Sequence, residues 1–187
     1  MNVYDFDKTI FYPDSSACFI RYELLKHPQF IPAFLINASI GFIKYKLGLW
    51  DKKLLKQSVF CILRYLSEPQ KEVLAFWKHN EKRIMRWYLE QQQEDDLIIS
   101  ASPEFLLEPM AEKYGFALIG TDMDISTGLI NGSNCHDSEK VLRFREKYGN
   151  APIEAFYSDS LSDTPMAEIA KSAFLVNKNN KSPWPDL

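Results

Sequence analysis

Short apolar runs that break into acidic or hydroxyl residues recur along the chain. They lie at 2–7 ("NVYDFD"), 96–102 ("DLIISAS"), 116–121 ("FALIGT"), 154–160 ("EAFYSDS") and 173–177 ("AFLVN"). Runs of this length and content predict buried strands. Between them, apolar positions recur at helical spacing. "SPEFLLEPMAEKYG" predicts a helix with Ser102 as N-cap, Pro103 at the first helical position and Gly115 as the stop. "SEKVLRFREKYG" predicts another from Ser138 to Gly149, and "DTPMAEIAKS" a shorter one from Asp163. Strand–helix alternation of this kind predicts an α/β protein with an open, mostly parallel sheet flanked by helices. "TDMDISTGLINGSN" at 121–134 predicts a small hairpin turning at Thr127 and Gly128, a structural excursion rather than a site.

Residues 15–90 follow another pattern. They contain no strand-like run and predict four helices separated near Pro28, Gly48 and Pro69. The expected organisation is a core made of 1–14 and 91–187, with 15–90 inserted as an all-helical cap. Charge divides along the same line: the insert carries 13 Lys and Arg against 6 Asp and Glu, and the remainder 9 against 19. A basic cap over an acidic core favours an anionic ligand held between them, although helical surfaces also carry lysine with no such purpose. "FIPAFLINASIGFI" at 30–43 is shorter than the ~20 apolar residues a bilayer span needs, so integral insertion is not expected. Packing within the cap is the expected role. The basic stretch that follows, "KYKLGLWDKKLLK", leaves peripheral contact with an anionic membrane open.

Bulk properties narrow the classes. The 187 residues suffice for one well-buried core with a modest insert. A net charge of -3 argues against nucleic acid as the partner. Cys18, Cys61 and Cys135 form no CxxC pair and no secretory leader is seen at Met1, so a reducing cytoplasm is the expected setting. His27, His79 and His136 lack HExxH spacing, and the adjacent Cys135 and His136 are poorly placed for joint chelation. GxGxxG, GxxxxGK[ST] and GxSxG are all absent, which removes the usual support for dinucleotide, P-loop and serine-hydrolase chemistry.

What remains is acidic. Asp5 and Asp7 stand two positions apart at the end of the first predicted strand, where residues i and i+2 share a side. Two like charges that close raise each other's pKa unless something positive intervenes. The spacing asks for a cation, a proton or a phosphate chemistry that uses both groups. In phosphoryl transfer one aspartate attacks phosphorus and the other handles the leaving-group proton. Mg²⁺ would keep the nucleophile ionised, and Asp5, a backbone carbonyl near Asp7 and Asp159 would suit its preference for oxygen. Ser100 and Lys140 are available to bind the phosphate oxygens.

These segments resemble, in order, four motifs of the haloacid dehalogenase superfamily. "DFDKTI" matches DxDx[TV], "LIIS" the apolar run ending in Ser, "SEK" the motif lysine, and "SDSLSDTPM" the acidic fourth motif. The insert resembles the helical cap of the phosphoserine-phosphatase-like branch. The resemblance implies a Rossmann-like core and a Mg²⁺-dependent phosphatase acting on a small phosphorylated metabolite. It implies Asp5 as the nucleophile that becomes an aspartyl phosphate, and Asp7 as the acid and then base. Ser100 and Lys140 would hold the phosphate with the backbone amides of Phe6 and Ala101. Asp5, Asp7 and Asp159 would form the metal site, with Asp163 as ligand or support. Asp14 stands roughly where phosphoserine phosphatases carry a cap glutamate. Ser158 and Ser162 replace the usual glycine and asparagine, "ASP" follows Ser100 in place of glycines, and "LGLWDKKLLKQSVF" holds no match for the carboxylate-binding arginine. Phosphoserine is weakened as the substrate, and a sugar phosphate, a polyol phosphate or a lipid headgroup stays open. A phosphotransferase using the same intermediate, or a non-catalytic anion- or membrane-binding module, are the alternatives.

Overall fold

Val3 and Tyr4 are both fully buried, yet they enter different core clusters. Successive strand residues point to opposite faces, so β1 (Asn2–Tyr4) must be covered on both sides and lies at the centre of the sheet. The computed structural model describes residues 1–185. Beside β1 stand β2 (Leu97–Pro103), β3 (Ala117–Thr121), β4 (Ile153–Ser158), β5 (Ala170–Asn177) and β6 (Asn180–Pro183), in the order β3-β2-β1-β4-β5-β6. The first five are parallel, and β6 is an antiparallel edge strand that the sequence pattern did not predict. This is the expected mostly parallel, Rossmann-like sheet. β2 and β4 flank β1 on opposite sides, with Val3 paired to both Leu97 and Phe156. Such a switch point opens a crevice beyond the carboxyl ends of the strands.

Regular strand stops at Tyr4, earlier than the predicted 2–7. The Asp5 amide still donates to the Tyr157 carbonyl at 2.8 Å. Lys8 then takes φ 58°, a left-handed conformation costly for a residue with a side chain, and its amide is held by the carbonyls of Phe11 and Pro13. The chain beyond β1 is thus a tight, braced turn.

Helices α1 (Ser15–Lys26), α2 (Ile31–Lys46), α3 (Lys52–Val59), α4 (Pro69–Asn80) and α5 (Arg86–Gln91) fill the segment between β1 and β2. Pro28 opens a 3-10 turn, Gly48 has φ 71° and Pro69 occupies the first turn of α4, so the three predicted breaks fall where expected, but a further break at Glu81–Arg83 gives five helices instead of the predicted four. The segment returns to the sheet layer at Ile84, which bridges Phe11, and Tyr88 of α5 packs edge-on to Tyr4 at 5.0 Å. One aromatic cluster joins the helices to the sheet. Phe6 and Phe11 stack, Trp77 stands edge-on to both, and the Trp77 indole N–H donates to the Leu106 carbonyl. α2 is covered on one side only: Gly41 is its single buried residue, set against Ser58 of α3. Leu35, Ile36, Phe42 and Ile43 are more than half exposed, so the expected packing of this stretch among its neighbours is incomplete. Among the described residues no helix is long and apolar enough to cross a membrane.

α6 (Glu104–Tyr114) packs in the same core cluster as Tyr4, Trp77 and Tyr88, while α7 (Ser138–Tyr148) and the single turn α8 (Thr164–Ala167) pack in the other cluster with Val3. α6 ends at Gly115 with φ 77°, the left-handed stop expected there. α8 is shorter than predicted because β5 begins already at Ala170. The 121–134 excursion closes with a bridge between Met123 and Ile130 and turns at Gly128. A Cβ on Gly128 would lie 2.4 Å from the Phe60 carbonyl oxygen, and Arg64 donates to the Thr127 carbonyl at 3.0 Å. The excursion therefore docks the helical segment onto the core.

Asp96, immediately before β2, is buried and accepts one bond, from the Gln93 amide at 3.0 Å. Its other side-chain oxygen has no partner among the described residues. Burial pushes this carboxyl up from 3.8 to about 6, against the pull of the Gln93 bond. Between those values the folded chain holds a proton that the unfolded chain has released. The associated stability is full at low pH and lost as pH rises through about 6. Asp96→Asn is expected to stabilise the protein by on the order of 1–3 kcal/mol above neutrality. It should change little at acid pH, as read by urea unfolding under both conditions.

Candidate active site

Asp5 lies where β1 gives way to the turn, and α7 brings Lys140 to it from 135 residues away. Lys140 Nζ, itself 2 % exposed, donates to Asp5 Oδ1 at 2.7 Å and to Asp163 Oδ2 at 2.8 Å. Ser158, the last residue of β4, donates to the same Asp163 oxygen at 2.7 Å. Burial opposes the lysine's charge, but the two carboxylates outweigh it and raise its pKa. Burial is also the main influence on Asp5, pushing its carboxyl up to about 7 against the pull of Lys140. Thr9 ties the two strand ends together. Its hydroxyl accepts from the Asp159 amide at 2.9 Å and lies 3.5 Å from Asp5 Oδ2.

Asp7 has different partners. Its Oδ1 accepts from the Ser15 amide at 2.5 Å, and its Oδ2 from the Ser102 hydroxyl. Ser102 also touches the Ser16 hydroxyl at 2.8 Å. The predicted N-cap role of Ser102 does not hold, since β2 runs on to Pro103 and the hydroxyl turns to Asp7. Burial and the nearby Asp14 raise the Asp7 carboxyl to about 6, with the Ser102 and Ser15 bonds working against them. Asp5 and Asp7 thus line one cavity without sharing one positive partner: the ammonium is bonded to Asp5.

That cavity, about 450 Å³, is lined by Asp5, Asp7, Asp14, Ser100, Ala101, Lys140, Asp159 and Asp163 among others. The predicted residues therefore converge, with one qualification. The Phe6 ring is buried against Phe11 and Trp77, which leaves only its backbone for the site. Asp14 is the N-cap of α1, accepting from the Ala17 amide, and it also faces the cavity. Ser100 is buried within β2, at the stretch where its pairing with β3 shifts register, and its hydroxyl accepts from the Ser102 amide at 3.1 Å.

The lining also includes residues that were not predicted for the site, Lys56 and His136 among them. Lys56 of α3 reaches across from the helical segment to the Ala101 carbonyl and to Asn134 Oδ1 at 3.2 Å. Burial lowers its pKa to about 8, while Asp7 and Asp14 pull it back up. Phe60 also lines the wall, and the i, i+4 spacing from Lys56 was a usable signal that the two share a helix face. His136, read as a loop residue, lies on the wall as well, 3.3 Å from Lys52 Nζ.

The donor chemistry fits Mg²⁺. Asp5, Asp7, Asp159 and Asp163 crowd one cavity, and burial raises Asp159 further, relieved in part by Lys8. Their carboxylates offer the all-oxygen donor set that a hard divalent cation prefers. Both Asp7 side-chain oxygens already accept hydrogen bonds, so its carbonyl is the donor left over. Asp163 is tied to Lys140 and Ser158, behind Asp5.

A family model described as haloacid dehalogenase-like hydrolase matches residues 3–168, a stretch that contains every residue of this cluster. The chain belongs to that family. Among curated proteins, Protein CicA of Caulobacter vibrioides is 38% identical over 81 residues, which is 40% of this chain and 36% of CicA. The match thus spans about a third of that relative. Among solved structures, a protein of unknown function from Bordetella pertussis Tohama I superposes on this hydrolase with TM-score 0.76 at 19% identity. That alignment covers 99% of this chain and 91% of the other. A phosphoserine phosphohydrolase-like protein from Francisella tularensis gives 0.56 at 17%, covering 92% and 86%. At these identities the likeness is one of fold, which this chain shares with both structures.

Proposed function

We propose that this hydrolase is a Mg²⁺-dependent phosphatase that acts on a small phosphomonoester through an aspartyl phosphate on Asp5. The observation that carries the reading is the buried Asp5–Lys140–Asp163 triad at the cavity floor, with Asp7 held independently beside it. Asp5 Oδ1 is taken by Lys140, while among the described residues Oδ2 has only the long Thr9 contact and is the oxygen free to attack. In the first step Asp5 Oδ2 bonds to phosphorus as the bond to the leaving oxygen breaks, and Asp7 gives that oxygen its proton. In the second, water attacks phosphorus, Asp7 takes the water's proton, and the phosphorus–Asp5 bond breaks to restore the carboxylate. Lys140 and Ser100 bind the phosphate oxygens. A Mg²⁺ held by Asp5, Asp159 and the Asp7 carbonyl, with Asp163 behind them, would offset charge on the phosphate.

The helical segment (15–90) is read as the cap, and Lys56 is its cationic contribution to the cavity. A substrate carboxylate would meet this lysine rather than an arginine, which favours phosphorylated sugars, polyols or other small anions over phosphoserine. Lys56→Met is expected to raise KM for the preferred substrate about 10-fold or more. kcat should change much less, as steady-state kinetics will show. The reading as a whole is tested by phosphate release from a panel of phosphomonoesters. Release should require Mg²⁺ and fall to background with EDTA. A panel in which nothing turns over, or turnover indifferent to EDTA, would overturn it.

A further inference from the structure

Away from the Asp5 cavity, three side chains meet where the end of α1 crosses the start of α4. Glu23 is fully buried, and neither of its side-chain oxygens has a hydrogen-bond partner among the described residues. His27 follows four positions later as the C-cap of α1, and its Nε2 is likewise buried and without a partner. Glu72 comes from the first turn of α4. His27 Nε2 lies 3.8 Å from Glu23 Oε2 and 3.9 Å from Glu72 Oε1. One donor atom from each of the three lies within 4.8 Å of the others. None of the three residues lines the catalytic cavity.

These separations are too long for hydrogen bonds. A buried carboxylate with no partner costs several kcal/mol unless something compensates it. The i, i+4 spacing places Glu23 and His27 on one helix face, aimed at the crossing helix. Lys26 compensates elsewhere: it pairs with Glu72 Oε2 and leaves Oε1 turned toward His27. The His27 ring is fixed by stacking on Phe30, centroids 5.2 Å apart. Bonds of about 2.0–2.2 Å in a tetrahedral site set neighbouring donor atoms roughly 3.3–3.5 Å apart. The two His27 separations exceed this by roughly 0.5 Å, and the three donor atoms stay within 4.8 Å of one another, so metal binding would draw the side chains inward.

We propose that Glu23, His27 and Glu72 form a second metal site, for a first-row transition metal of the zinc type, that clamps α1 to α4. One imidazole nitrogen and two carboxylates suit zinc and its neighbours, whereas Mg²⁺ and Ca²⁺ prefer oxygen alone. A fourth position is left for water. The clamp acts on the helical segment and not on the reacting atoms.

Co²⁺ is a suitable probe, since its visible absorption reports the coordination. Chelator-stripped full-length protein is dialysed against Co²⁺ in a large excess of Mg²⁺, which keeps the Asp5 region supplied with its own cation. The expected result is one Co²⁺ per chain with a tetrahedral-type visible band, displaced by Zn²⁺. Asp5→Asn should retain the band, and Glu23→Gln and His27→Gln should lose it. Glu72→Gln alters a less buried ligand and guards against misfolding of the other two. It should weaken Co²⁺ binding at least 10-fold with an unchanged circular dichroism spectrum, and Zn²⁺ should raise Tm for wild type and not for this variant. No Co²⁺ retained by wild type overturns the proposal, as does equal retention by Glu72→Gln and His27→Gln.

Discussion

Asp5→Asn is expected to lower phosphate release by on the order of 10⁴-fold or more without unfolding the protein. The amide is nearly the same size as the carboxylate and removes one of two negative charges facing Lys140, which keeps Asp163 as its partner. Burial already disfavours the Asp5 charge, so the neutral variant should be no less stable than wild type. A loss of rate with unchanged or raised Tm therefore isolates chemistry from folding. Acid-quenched wild type should in addition yield a phosphorylated peptide that contains Asp5, and the variant should not. A variant that retains more than a tenth of the rate would rule out Asp5 as the nucleophile.

Lys140→Met should act on both stability and rate. Removing one member of a buried ionic cluster leaves the other charges uncompensated, at a cost of about 3–5 kcal/mol. Here Asp5 and Asp163 would face each other, with Ser158 the other donor on the Asp163 oxygen among the described residues and Thr9 the long contact on Asp5. Urea unfolding should show that loss, and activity should be abolished. Adding Asp163→Asn removes one of the stranded charges and should recover a good part of the stability but none of the rate. If the double variant is no more stable than Lys140→Met alone, the triad is not the energetic unit that its geometry indicates.

The parts of the fold that were legible in the sequence are those fixed by burial on two faces. β1, β2 and β4 read as apolar runs because each packs on both sides, and their polar ends mark the crevice where Asp5, Ser100 and Asp159 collect. β6 left no such mark: "NKSP" is exposed throughout and is held by backbone pairing to β5. The start of β5 is similarly quiet, since Lys171 and Ser172 are exposed and pair through the main chain. Within the site, acidic residues announced themselves by spacing, whereas the hydroxyls of Thr9 and Ser102 did not. Thr9 and Ser102 become braces only when segments 150 and 95 residues apart meet. Lys56 was hidden among neighbouring lysines, and only the docking of α3 over Ala101 separates it from them.

The placement of β1 also has a consequence for how the protein comes into being. The strand that presents Asp5 is made among the first residues of this sequence, but its hydrogen-bonding partner Tyr157 is made long afterwards. At about 5–20 residues per second, Asp5 waits several seconds or more on the ribosome before its Tyr157 partner exists. β1 is also a central strand, so nothing local can substitute for β4 in the meantime. Folding of the Asp5 turn is therefore tied to the arrival of β4, and nascent fragments that stop short of Ser158 carry Asp5 and Asp7 without the cluster that Asp159 and Asp163 complete.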